Sequence, residues 1–132
     1  MSLNKEQVQE LIQAARRVSG NSYSPYSGFK VGAALLGKSG RIYSGCNFEN
    51  AAFGAGTCAE RVALGAAVSA GEREFIALAV CGGDTPITPC GICRQALSEF
   101  GAMEVYCAAL KGEETQKYSL LELLPQGFKL EV

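Results

Sequence analysis

Histidine is missing from this chain. A metal site built here must therefore draw on cysteine, aspartate or glutamate, and imidazole is excluded as the general acid or base. Also missing is any apolar run near the ~18 residues that a membrane span takes. The opening residues Met1-Ser2-Leu3-Asn4-Lys5-Glu6 are polar and acidic, without the apolar stretch of a secretory leader, so a cytoplasmic location is expected. No basic run interleaved with aromatics occurs, and 12 Lys+Arg against 13 Asp+Glu give a formal net charge of −1. Nucleic acids and membranes are accordingly not expected partners. With only 19% charged residues against 48% hydrophobic ones, the composition suits a compact core rather than disorder. The 132 residues suffice for a single domain over residues 1–132 and are too few for two ordinary ones.

What is present in number is cysteine, six residues in all. A disulfide framework is disfavoured, because no secretion signal is seen and a core of this size needs no staples. Cys46, Cys81 and Cys107 sit in predicted strands among apolar neighbours and read as small buried hydrophobes. The other three fall in two short stretches, Cys58-Ala59-Glu60-Arg61 and Pro89-Cys90-Gly91-Ile92-Cys93-Arg94.

The order of elements places those stretches. Asn4 with Gln7 three residues on reads as a capped helix start, and Val8, Leu11, Ile12, Ala15 and Val18 recur at helical spacing until Gly20. A turn-rich loop with Tyr23 and Tyr26 follows, whose aromatics could wall a pocket. Residues 29–36 and 41–46 predict a hairpin across Gly37-Lys38-Ser39-Gly40, and 47–57 a loop. A helix is predicted from about Cys58 to a stop at Gly71, then a strand over 75–81 buried on both faces. A second helix is predicted over 90–100, ending at Gly101, followed by strands at 104–110 and around Tyr118 and a short helix at 120–124. This order predicts an α/β fold, a sheet covered by helices on both faces. Ligand sites in such folds lie at the carboxyl ends of strands, where the next helix begins, and both cysteine stretches fall there.

The chemistry follows from that placement. Helix amino termini offer unpaired N–H groups and a partial positive charge, which favour thiolates and metal binding. Cys58, Cys90 and Cys93 supply three ligands, leaving zinc's fourth position open for water, the catalytic rather than the structural arrangement. Glu60, two residues past Cys58, is close to such a centre without being needed as a ligand. It can take a proton from the activated water and return it to a leaving amine. Three thiolates on Zn²⁺ sum to −1, and Arg61 and Arg94 are placed to offset that charge by hydrogen-bonding the sulfurs. Cys-x-x-Cys alone also serves redox proteins, and a non-catalytic zinc module is the reading from a different class. The separate Cys-Ala-Glu favours catalysis, since a closed structural site has no use for an acid/base group. Cys-x-Glu followed by Pro-Cys-x-x-Cys matches the Cys₃ form of the zinc deaminase pattern.

With these motifs the chain resembles the small, homotetrameric type of cytidine deaminase from about Ser24 to Phe128. The resemblance is carried by Ser24-Pro25-Tyr26-Ser27, Phe29-Lys30-Val31-Gly32-Ala33-Ala34, Gly45-Cys46-Asn47-Phe48-Glu49-Asn50-Ala51, the two cysteine stretches with Gln95, and Glu122-Leu123-Leu124-Pro125. It implies a three-layer αβα sandwich on a mixed five-stranded sheet, one zinc ion per chain, and hydrolysis of cytidine and deoxycytidine to uridine and deoxyuridine plus ammonia. A zinc-bound hydroxide would be the nucleophile. Asn47 and Glu49 resemble the pair that holds the ribose hydroxyls, Phe29 the aromatic packed on the pyrimidine, and the backbone at Ala59 a contact to the base. Residues two apart in extended chain face one side, and amide plus carboxylate can donate to and accept from a hydroxyl. A solvated strand end for Asn47 and Glu49, and a core position for Phe29, are the plainer readings. The family is tetrameric with shared active sites; Ala51, Phe53 and Phe128 resemble its cross-subunit pieces, Phe53 standing where tyrosine is frequent. The related alternative is an aminopyrimidine deaminase of the blasticidin S type, against which Asn47-Phe48-Glu49-Asn50 speaks.

Overall fold

A computed structural model describes residues 2–132. The first helix, α1 (Lys5–Ser19), begins as its sequence predicts. The Asn4 side chain accepts from the Gln7 backbone and the Gln7 side chain returns the bond. Strands β1 (Val31–Gly37) and β2 (Ile42–Cys46) form the hairpin, and α2 (Ala59–Ser69) follows. Then come β3 (Phe75–Gly82), α3 (Gly91–Ser98), β4 (Glu104–Ala108), β5 (Thr115–Ser119) and the single-turn α4 (Leu120–Leu123).

The five strands form one mixed sheet in the order β2-β1-β3-β4-β5. β1 is antiparallel to both its neighbours, β3 and β4 are parallel, and β5 is antiparallel to β4. Hence β2, β3 and β4 all point the same way. The chain leaves β2 toward α2 and β3 toward α3 at the same end of the sheet, the carboxyl end of both strands, which brings two sequence-distant cysteine stretches together.

The alternation of side chains along β3 divides the core. Ala77, Ala79 and Cys81 pack with Leu11, Ile12 and Ala15 of α1 on one face. Leu78 and Val80 pack with Ala63, Leu64 and Ala67 of α2, Leu97 of α3 and Leu120 of α4 on the other. This is the expected three-layer sandwich. Close approach depends on a glycine: a Cβ on Gly45 of β2 would lie 2.5 Å from the Ala63 nitrogen of α2. The bare position lets the helix that starts at Cys58 sit directly on the sheet.

Differences from the predicted bounds have local causes. β1 starts at Val31 rather than residue 29, because the Asn47 side chain replaces a strand partner there: it donates to the Phe29 carbonyl and accepts from the Val31 N–H, both at 2.9 Å. α3 stops at Ser98, where tighter bonds from Phe100 to Leu97 and from Gly101 to Ser98 close its end, Gly101 taking φ +96°. The 47–57 loop carries a 3-10 turn at Phe53–Ala55, and Phe48 bridges to Tyr23 and Thr57. Cys81 and Cys107 are buried as expected, whereas Cys46, at the end of the edge strand β2, is only half-buried.

Candidate active site

Cys58 and Cys90 are the N-caps of α2 and α3, and neither side chain caps its own helix. Both sulfurs therefore remain available. Cys93 lies one turn into α3 and is fully buried. The three Sγ atoms lie within 4.8 Å of one another, and Cys58 is 3.8 Å from Cys90. A tetrahedral centre with Zn–S bonds near 2.3 Å separates its sulfurs by about 3.8 Å, so the cluster fits such an ion as it stands.

Charge supports the same reading. Arg61 Nη2 donates to Cys58 Sγ at 3.4 Å, the guanidinium also bonds Cys93, and its Nε is buried without a partner. The bonds to Cys58 and then Cys93 hold Arg61 protonated more firmly than usual, outweighing burial. A guanidinium partnered by sulfur is balanced when those sulfurs are thiolates, the metal-binding form. For Cys90 burial acts upward, but bonds from the backbone and side chain of Cys93, from Cys58 and from the Ile92 backbone together bring its thiol below the ordinary value. Cys93 is pushed strongly up, by burial and then by the negative field of Glu60. A bound cation reverses that, since a coordinated thiol loses its proton outright.

Glu60, in the first turn of α2, is 5% exposed. Burial raises its pKa, while its own backbone N–H and the charge of Arg61 pull the other way. The result moves a carboxyl beside the cluster toward neutrality, where a proton carrier is most effective.

A cavity of about 420 Å³ opens over Cys58 and Arg61, walled by Asn47, Glu49, Asn50 and Phe53 and, from the preceding loop, Tyr26 and Ser27. Asn47 and Glu49 thus reach one cavity, and both are already engaged. Asn47 Oδ1 accepts from Ser22 Oγ and Val31 N, and one Nδ2 hydrogen goes to the Phe29 carbonyl. Glu49 Oε1 accepts from the Tyr26 and Ser27 N–H groups, and Oε2 from Ser27 Oγ. These bonds, the Ser27 hydroxyl first, hold the Glu49 carboxyl below the usual range. One Asn47 hydrogen and one Oε2 lone pair remain.

The other expected residues are placed as follows. Ala59 is fully buried behind Cys58, its backbone at the start of α2. Phe29 stands outside the cavity wall, half-exposed, its ring against Gly83. Ala51 is exposed and not in the wall, and Tyr23 is likewise outside it. Phe53, 83% exposed, meets Tyr26 edge to face with ring centroids 6.3 Å apart. Phe128 is 67% exposed, its backbone held at both N–H and carbonyl by the Gln95 amide.

The expectation for Arg94 fails. It turns away from the sulfurs and donates to the carbonyls of Pro89 and Leu123 and to Thr88 Oγ1. Sequence reasoning also missed Ser22, Ser27 and Gln95 as partners of site residues. A serine or glutamine carries no signal of its partner in a single sequence.

Comparison with known proteins agrees with this geometry. The family model for the cytidine and deoxycytidylate deaminase zinc-binding region matches residues 5–109. A cytidine deaminase of Sporosarcina psychrophila is 48% identical over 128 residues, 94% of this chain and 93% of its own. A probable cytidine deaminase of Dictyostelium discoideum is 42% identical over 131 residues, 98% of this chain and 88% of its own. The crystal structure of a cytidine deaminase from Burkholderia pseudomallei superposes with a TM-score of 0.86 at 45% identity, covering 91% of this chain and 98% of that one. In sequence and in fold, the chain belongs to the cytidine deaminase family.

Proposed function

We propose that this enzyme is a zinc-dependent hydrolase that converts cytidine and deoxycytidine, with water, to uridine and deoxyuridine plus ammonia. One observation carries the reading: three converging sulfurs beside a buried carboxyl, opening on a cavity that holds an amide and a second carboxylate. Cys58, Cys90 and Cys93 would hold one zinc ion per chain, which supplies activation of water at neutral pH. Glu60 would carry one proton of the attacking water to the ring nitrogen and then the second, from the new hydroxyl on the ring carbon, to the amine as its C–N bond breaks and it leaves as ammonia. Its burial supports that role, because a carboxyl whose pKa is raised by burial holds a proton more readily between uptake and delivery. Arg61 balances the thiolates. The backbone at Ala59 holds the base, and Phe29 packs on it.

The remaining hydrogen of Asn47 and lone pair of Glu49 suffice for one sugar hydroxyl. A pocket that takes both cytidine and deoxycytidine must read a hydroxyl they share, the 3′-OH or the 5′-OH, and we assign the Asn47–Glu49 pair to the 3′-OH. Nucleosides are favoured over nucleotides, because among the described residues the only cation in the cavity wall is Arg61, and its hydrogen bonds go to sulfur. We further propose that one catalytic domain spans the chain and acts in the cytoplasm, where its six free thiols stay reduced. Four copies would complete one another's pockets through Ala51, Phe53 and Phe128, and the exposure of those two rings supports this.

The test is to incubate purified protein with cytidine, deoxycytidine, cytosine, deoxycytidylate and blasticidin S and follow release of ammonia. Turnover of the two nucleosides, with little of the others, is expected. Turnover of neither nucleoside sinks the reading, and turnover of blasticidin S alone replaces it.

A further inference from the structure

One member of the sulfur cluster, Cys90, has backbone support from the helix side only, its carbonyl accepting from the Arg94 N–H at 2.9 Å. Cys90 is the exposed one of the three. The segment that delivers it has left β3 and not yet entered α3, and among the described residues 84–89 make no backbone–backbone hydrogen bond. Apolar anchoring is present: Ile87 packs on the core and Pro89 is fully buried. Apolar contact is non-directional, so it keeps the loop near the core without fixing how its peptide planes are turned.

On the loop side, direction comes from one side chain. Arg94, one turn past Cys90, donates Nε to the Pro89 carbonyl at 2.7 Å and Nη2 to Thr88 Oγ1 at 3.0 Å. Its third nitrogen, Nη1, donates to the Leu123 carbonyl at the end of α4, 2.9 Å away. Among the described residues, the first two are the only hydrogen bonds made by residues 84–89. The Pro89 carbonyl belongs to the peptide whose nitrogen is that of Cys90. Fixing that carbonyl therefore fixes the plane from which the Cys90 side chain departs. The other end of the fork rests on α4, a separate element, so the brace is referenced to the packed helical layer rather than to the loop itself.

We propose that Arg94 is a positioning residue of the metal centre: by tying Thr88 and Pro89 to the end of α4 it holds Cys90 where its sulfur meets those of Cys58 and Cys93. This rests on the metal reading above. The role is geometric. Three acceptors on three nitrogens of one planar group define a fork that the single ammonium of lysine does not reproduce.

The test uses metal-free full-length protein and cobalt(II) alone as the probe, read by the sulfur-to-cobalt absorption. Arg94→Gln and Arg94→Lys should each bind cobalt about 10- to 100-fold more weakly than the parent, the range for outer partners of metal ligands. The sulfur band per bound ion should also fall in both, because Cys90 is the ligand set loose. Thr88→Val, which removes one of the three acceptors, should shift affinity in the same direction by less. Parent-like affinity and spectrum in Arg94→Gln overturn the proposal, and so does full recovery in Arg94→Lys, which would make the residue a source of charge. Should both Arg94 variants fail to fold, Thr88→Val decides, and parent-like affinity there overturns it. A parent protein without a sulfur-to-cobalt band would sink the metal reading itself, and the positioning role with it.

Discussion

Removing one sugar hydroxyl at a time from the substrate probes the pocket without touching the protein. Asn47 and Glu49 meet most of their hydrogen-bonding capacity within the chain, through Ser22, Val31 and Phe29 for the amide and Tyr26 and Ser27 for the carboxylate. One donor and one acceptor remain, enough for a single hydroxyl. That hydroxyl would donate to a charged carboxylate oxygen, a bond worth about 1.5–3 kcal/mol. Its loss should lower kcat/KM about 10- to 150-fold, at roughly 1.4 kcal/mol per decade. The assay compares cytidine with its 2′-deoxy and 3′-deoxy forms under identical conditions. The 3′-deoxy compound should lose that factor, while the 2′-deoxy compound stays within a few-fold of cytidine, since Asn47 and Glu49 have no further group to read it. Equal losses for the two deoxy compounds would refute the hydrogen-bond accounting, as would no loss for either.

Other outcomes follow from the same geometry. Glu60→Ala should retain about one metal ion per chain yet lose about 10²–10⁴ in kcat, the usual contribution of general acid–base catalysis; metal analysis alongside turnover separates the two. Gly45→Ala would place a methyl 2.5 Å from the Ala63 nitrogen. Overpacking of that kind costs about 1–3 kcal/mol, and a thermal melt should register it at roughly 4 °C per kcal/mol. The Glu49 carboxyl is held below the ordinary range, so its support of the 26–27 loop is complete above the unfolded value of about 4.3 and is lost as pH falls through the lower folded value. Protection of the Tyr26 and Ser27 amides, as exchange relative to the intrinsic rate at the same pH, should fall in that acid window, and Glu49→Gln should remove this pH dependence of protection.

Much of the fold is readable from local chemistry. The Asn4–Gln7 capping box, the helical spacing on α1 and the apolar run of β3 each state their element within a few residues. The three zinc-ligand candidates and Glu60 are equally legible, because their spacing places them at the heads of two helices. What escapes the sequence is where a polar side chain spends its bonds. Asn47 reads as a substrate group, yet two of its side-chain bonds fasten the start of β1 and a third takes the Ser22 hydroxyl. Arg94 reads as charge balance for adjacent thiolates, yet its fork spans a loop and α4, 29 residues on in the case of Leu123. Gln95 clamps the backbone of Phe128, 33 residues away. Such pairings depend on how distant segments meet, which no local pattern encodes.

The central claim is that the three-cysteine cluster, loaded with one zinc ion, drives nucleoside deamination. Titrating zinc into metal-free protein while measuring cytidine turnover tests it most directly. Activity should be absent without metal, rise linearly and break at one zinc per chain; full turnover of cytidine by the metal-free protein would contradict the account.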